Sequence, residues 1–173
     1  MKQLLLISAI LVSSVQLIGQ RFAYVDSRYI LENMEEYQEA QKELNAISKQ
    51  WQETVEAKIA ELDEMKRTFE AEKILLTDEM RKERLTQIKE KDKEVKDYQR
   101  AKFGVKGELF TRRQELIKPL QDEIYNAIKE LASERSYGIV FDKGVNTNIL
   151  FSDPKYDKSD VILKKLGYSA RDE

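Results

Sequence analysis

From Met34 to Leu76 the chain runs without a glycine or a proline, and its apolar residues return at every third or fourth position: Tyr37, Ala40, Leu44, Ile47, Trp51, Val55, Ile59, Leu62, Met65 and Phe69. This spacing puts them on one stripe of an α-helix, close to the ~3.5-residue repeat of a coiled-coil seam, with a four-residue slip near Val55. The positions between are mostly Glu, Lys, Gln and Asp, as a helix face in water requires. A stripe this long and narrow needs a second helix to cover it.

The chain supplies one. A second seam passes through Leu85, Ile88, Val95, Tyr98, Leu109, Leu116, Leu120, Ile124, Ile128 and Leu131. Between the two, Ile74-Leu75-Leu76-Thr77-Asp78 breaks the period and offers Thr77 or Asp78 as a cap for the returning helix. The reading is an antiparallel helical hairpin over 34–118 with its tip near 76–79, each limb of roughly 40 residues and about 60 Å long. Gly104 and Gly107 interrupt the return limb and predict a soft joint, although such glycines more often answer to packing. Pro119 lies inside a helical pattern and predicts a bend between arm and body.

On either side of the hairpin the period changes. Phe22 to Ser27 reads as a strand running into a cap at Asp26 or Ser27 for a helix starting near Arg28. Tyr137 to Asp142 reads as a second strand, Lys143 to Thr147 as a turn, and Asn148 to Phe151 as the partner strand. Ser159-Asp160 then caps a short helix, Val161 to Leu166, ended by Gly167. The fold class is α+β: a long coiled-coil-like hairpin on a small β-rich body, built from 20–33 and 119–173. One terminal helix cannot cover the apolar side chains of three short strands, namely Phe22, Tyr24, Val25, Ile139, Phe141, Ile149 and Phe151. Small cores of this kind need help, and with no cysteine for a disulfide, self-association is the route left.

Residues 1–19 read as a cleavable export signal: Lys2 gives a thin basic start, the stretch from Leu4 to Ile18 is largely apolar, and Gly19 suits the cut. The run is too short and too rich in serine for a membrane span, and no cysteine follows it to carry a lipid. The expected compartment is a periplasm.

Charge and composition narrow the chemistry. Thirty basic against 32 acidic side chains leave a net charge of −2, which argues against nucleic-acid binding. Zero cysteine and zero histidine remove the thiolate, the imidazole and the usual zinc ligands. No phosphate loop, nucleophile elbow or calcium-loop spacing occurs, and no cofactor is expected. Asp26 and Asp142 stand at strand ends, where turn and cap roles account for them without catalysis. Trp51, Met65, Phe69, Met80 and Phe103 are candidates for contact with a flexible client, weighed against packing in the seam. The Lys/Glu runs at 81–84 and 89–94 read as a solvated face.

Four segments then point to a family: Phe22 to Asp26; Gln114 to Gln121 with Ala127-Ile128; Tyr137 to Asp142; and Asp157 to Asp160 with Leu166-Gly167. Over nearly all of the chain beyond residue 19, it resembles the Skp (OmpH) family of periplasmic chaperones. That resemblance implies a homotrimer whose three chains share a β-barrel body, with three arms around a cavity that holds unfolded outer-membrane β-barrel proteins without ATP. It implies no enzyme activity and at most indirect contact with a membrane. The best-known members are strongly basic, whereas this chain has a sequence pI near 5.5, so no lipopolysaccharide site carries over. The competing reading is a structural or adaptor coiled coil that binds one folded partner; a membrane-surface role is disfavoured because the arms lack a basic amphipathic face.

Overall fold

The computed structural model of the protein describes residues 21–144 and 149–169, so the expected signal segment and residues 145–148 of the expected turn and strand lie outside the described residues. In chain order the elements are β1 (Arg21–Val25), α1 (Ser27–Glu32), α2 (Glu35–Glu72), α3 (Asp78–Phe103), α4 (Glu108–Arg135), β2 (Tyr137–Asp142), a 3-10 turn at Pro154–Tyr156, and α5 (Ser159–Lys165). They fall into two compact units: a body of 21–30 and 124–169, and an arm of 31–123.

In the body, β1 and β2 pair in parallel, with Phe22 opposite Ile139, Ala23 opposite Val140, Tyr24 opposite Phe141 and Val25 opposite Asp142. Parallel strands cannot be joined by a tight turn, and here the connection is the whole helical stretch from α1 to α4. One side of the pair is packed: Ala23 and Val25 of β1 are buried, as are Ile30 of α1, Ile124, Ala127 and Leu131 of α4, and Ile162 and Leu163 of α5. The α4 residues are three and four positions apart, so one helical face meets the core. Full burial of Ile30, Ile162 and Leu163 contributes roughly 1.5–3 kcal/mol each.

A polar knot ties the strand ends together. Ser27 donates its backbone N–H (3.1 Å) and its hydroxyl (2.6 Å) to the Asp142 carboxylate, and Gly144 N–H donates to the same group at 2.8 Å. Of the two caps the sequence offers for α1, Asp26 takes the role, accepting from Tyr29 N–H at 3.0 Å. Both aspartates are thus occupied as acceptors of structural hydrogen bonds. Glycine is required at 144, because a Cβ there would stand 2.7 Å from the Arg28 backbone nitrogen.

Two expectations about the body need correction. Residues 149–151 form no strand and do not return along β2. Just after Asp142, Lys143 N–H donates to Val25 O at 2.7 Å and Gly144 N–H to the Asp142 carboxylate, so the pairing of β2 with β1 extends one bond past the strand end. The second correction concerns Ser159, which is the first residue of α5 and not its cap. Its hydroxyl donates to Asp157 (2.6 Å) and accepts from Asp26 N–H (2.9 Å), fastening α5 to the end of β1. Gly167 ends that segment with φ +91°, in the left-handed region that glycine favours.

The arm is the expected antiparallel hairpin. Helix α2 has 38 residues, or about 57 Å at the α-helical rise. The chain turns at 73–77, Thr77 accepts from Met80 N–H at 3.3 Å as the cap of α3, and Arg81 closes the turn on Leu76 O at 3.2 Å. Ion pairs fix the register: Lys91 with Glu61 at 2.6 Å, and Arg112 with Glu43 at 3.0 Å. Pro119 lies within α4, which continues on both sides of it; the ring removes one backbone donor from the helix.

Replacing Asp142 with alanine strands two backbone N–H groups and a hydroxyl at the strand ends. The expected cost is about 1–3 kcal/mol in urea unfolding. A midpoint equal to that of the parent protein contradicts the role given to this carboxylate.

Candidate assembly face of the body and contact surface of the arm

The strand pair is packed on one side and open on the other. Phe22 and Ile139 face each other across the ladder, Phe141 lies two residues on from Ile139, and all three are substantially exposed, Ile139 at 53%. Five of the seven body residues singled out in the sequence, Phe22, Tyr24, Phe141, Ile149 and Phe151, line one apolar cleft of about 300 Å³. Tyr156 also lines it, with its ring 4.7 Å from that of Phe22. Phe151 is 84% exposed within the single chain. Val25 faces the other way, into the protomer core, and Ile139 stands outside the cleft on the open face.

The two edges of the ladder differ. Beyond β1 the chain is bridged at Tyr24 and Asp157, and Lys158 N–H donates to Tyr24 O at 2.9 Å. Beyond β2, among the described residues, nothing pairs. An isolated two-stranded sheet is marginal in water, and parallel sheets are normally covered on both faces. A free edge flanked by Ile139 and Phe141 is therefore a template for another strand.

In the arm, two helices can cover only a narrow stripe. Ala40, Leu44, Val55 and Leu62 of α2, Val95 of α3, and Ile117 and Leu120 of α4 are buried, and Tyr37, Leu109 and Leu116 pack beside the cluster of Ala40, Leu44 and Ile117. Met65 and Phe69 are half-buried and line a shallow hollow with Arg84 and Ile88. Other seam positions stay open, among them Ile59, Met80 and Leu85. Charged pairs flank the seam. Lys58 binds Glu94, which Lys91 also contacts at 3.2 Å, and these partners, Lys58 foremost, hold the Glu94 carboxyl below the usual range.

The glycine pair marks a real break. Helix α3 ends at Phe103 and α4 begins at Glu108, with Lys106 between them at φ 65°. A Cβ on Gly104 would stand 2.4 Å from the Arg100 carbonyl oxygen, and one on Gly107 would stand 2.9 Å from that of Ala101. The break is braced by side chains. Phe103 meets Trp51 edge-on at 6.2 Å, and the Lys102 ammonium lies 4.7 Å over the Trp51 ring while pairing with Glu108 at 2.5 Å. Trp51 and Phe103 thus pack together, and part of the Phe103 ring remains open to solvent.

The sequence reading passed over two exposed residues. Ile74 and Leu75 in the hairpin turn are each 85% exposed. The signal lies in the sequence: an apolar run out of step with the seam has no helix to cover it.

With this geometry in view, comparison with known proteins is decisive at the level of family. The sequence profile of the family described as outer membrane protein (OmpH-like) matches residues 21–166. The chain belongs to the OmpH-like family. No curated protein matches it. Its fold is similar to a crystal structure from Caulobacter crescentus CB15 of an OmpH-like protein proposed to be an outer membrane chaperone, with TM-score 0.66 and 12% identity over 85% of this chain and 83% of that one. At that identity the likeness is one of fold. Among the described residues of this OmpH-like chain, no group of acidic side chains could hold a metal, and no helix is long and apolar enough to cross a membrane.

The Gly104→Ala substitution forces its new methyl into the Arg100 carbonyl. Thermal unfolding is expected to show a loss of about 1–3 kcal/mol, as for other overpacked sites. A variant as stable as the parent rules out the close approach described for this turn.

Proposed function

We propose that this protein is an ATP-independent holdase of the periplasm, exported by removal of residues 1–19. It assembles as a homotrimer through the body and keeps unfolded outer-membrane β-barrel proteins from aggregating between the arms of the three copies. The observation that carries this reading is the OmpH-like family match over residues 21–166, which takes in both the body and the arm. The physical features agree with it. The open face of β1 and β2, with Phe22, Ile139 and Phe141 exposed, asks for cover, and the unpaired edge of β2 offers backbone donors and acceptors to a neighbouring copy.

Holding a client without nucleotide requires many weak contacts and no deep pocket. Arms with a half-open apolar seam and dense paired charges supply such contacts: Ile59, Met80, Leu85 and Phe103 give short apolar footholds, and the Lys/Glu pairs keep the surface wetted. The near-zero net charge assigns retention to these local contacts more than to long-range attraction.

The adaptor reading draws on a different feature, the exposed Ile74 and Leu75 at the hairpin turn, where one folded partner would dock. Light scattering and an aggregation assay separate the two. The chain without residues 1–19 is expected to scatter with about three times the mass of one copy. Ile139→Asp combined with Phe141→Asp should yield monomers that keep their helical circular dichroism. A stable parent monomer sinks the trimer.

The trimer is further expected to suppress aggregation of a urea-diluted outer-membrane β-barrel protein at near-stoichiometric ratio, with no nucleotide added. Failure with several such clients, together with tight capture of one folded protein through Ile74 and Leu75, sinks the holdase.

A further inference from the structure

A second cleft in the body, of about 440 Å³, differs from the apolar one in being basic. Three basic residues line it, Arg21, Arg135 and Lys158, together with Phe22, Tyr137 and Tyr156. Lys155 also lies there, but Asp153 neutralises it through an ion pair at 2.8 Å. Among the described residues, the other three cations have no carboxylate partner within ion-pair distance. The acids next to them in sequence are engaged elsewhere: Asp157 accepts from Ser159, at 2.8 Å from the backbone nitrogen and 2.6 Å from the hydroxyl, and Glu134 pairs with Lys165 at 2.7 Å.

Two of these cations are also held in place. Arg21 donates one guanidinium nitrogen to Arg135 O at 3.3 Å, which leaves the rest of its fork open. Lys158 is pinned by the carbonyls of Lys155 (2.6 Å) and Asp157 (2.8 Å). Ser136, at φ 56°, turns the chain between Arg135 at the end of α4 and Tyr137 at the start of β2, so both side chains reach the same cleft. The carbonyl end of α4 offsets only about half a charge, against three positive groups. Like charges gathered without a counter-charge favour an anion, and planar guanidinium forks match tetrahedral oxyanions in two-point contact.

We propose that this cleft binds a phosphate monoester through Arg21, Arg135 and Lys158, with the Tyr137 ring taking the organic part of the ligand. A dianion suits three cations better than a carboxylate, which brings one negative charge. The ring of Tyr137, away from the face assigned to assembly, gives the ester substituent an apolar wall that free phosphate would not use. The site does not depend on the holdase reading.

The test is calorimetric titration of the full chain without residues 1–19, in its native assembly, with phenyl phosphate at fixed ionic strength. Saturable binding, competed by inorganic phosphate and at least tenfold weaker for benzoate, is the expected result. Arg135→Gln should weaken it at least tenfold, in line with loss of one charged hydrogen bond. Arg112→Gln, which alters an arm arginine, should leave it unchanged. Since Arg21 also braces a helix end, Lys158→Met serves as the second cleft variant, accepted once its thermal unfolding matches the parent. Absence of saturable binding, equal affinity for benzoate, failure of phosphate to compete, or equal loss in the Arg112 variant overturns the assignment.

Discussion

The parallel pairing of β1 with β2 is the constraint on which the rest of the structure depends. It joins Arg21–Val25 to Tyr137–Asp142, so that everything between becomes one crossover connection. Closing so long a loop carries an entropic cost, although that cost grows only as the logarithm of loop length. The helices within it are ordered by their own seam, and the strand pair is held by burial of Val25, Ile30, Ile162 and Leu163 and by the Asp142 knot. Without these the two ends of the body have no reason to meet.

Body and arm are both incomplete, for different reasons. Two strands expose one face and one edge because, among the described residues, no second layer covers that side. Two helices leave their seam half-open because each can cover only part of the other, as Ile59 and Leu85 record. The first deficiency is regular, a flat apolar face with a free backbone edge, and suits one geometrically defined partner. The second is distributed along a helix surface and suits a partner of no fixed shape. That contrast is the physical basis for the proposal that the body assembles and the arm contacts client.

Much of the fold was legible in the sequence. The seams, the Thr77 cap, the Asp26 cap and the Gly167 stop are local features, and local chemistry decides them. The expected third strand is absent at 149–151: an apolar run after a glycine-containing turn resembles a hairpin, while the partner that β2 takes is β1, far away in the sequence. Ser159 was misread for a similar reason: a serine before a helix resembles a cap until a distant backbone group, Asp26 N–H, claims its hydroxyl. The break after Phe103 was flagged by its glycines, but its bracing by Trp51 and Lys102 was not visible without the hairpin register. The basic cleft is not legible in the sequence, since Arg21 stands more than a hundred residues from Arg135 and Lys158.

By itself, the sequence determined the helical hairpin, its turn and the apolar character of the strands, because periodicity, capping residues and glycine placement act within a few positions of one another. Only the tertiary structure decided that the strands run parallel, which of their side chains are buried, and which charged groups converge. Those outcomes depend on pairing between distant segments, and no local pattern records which of the available edges a strand will choose.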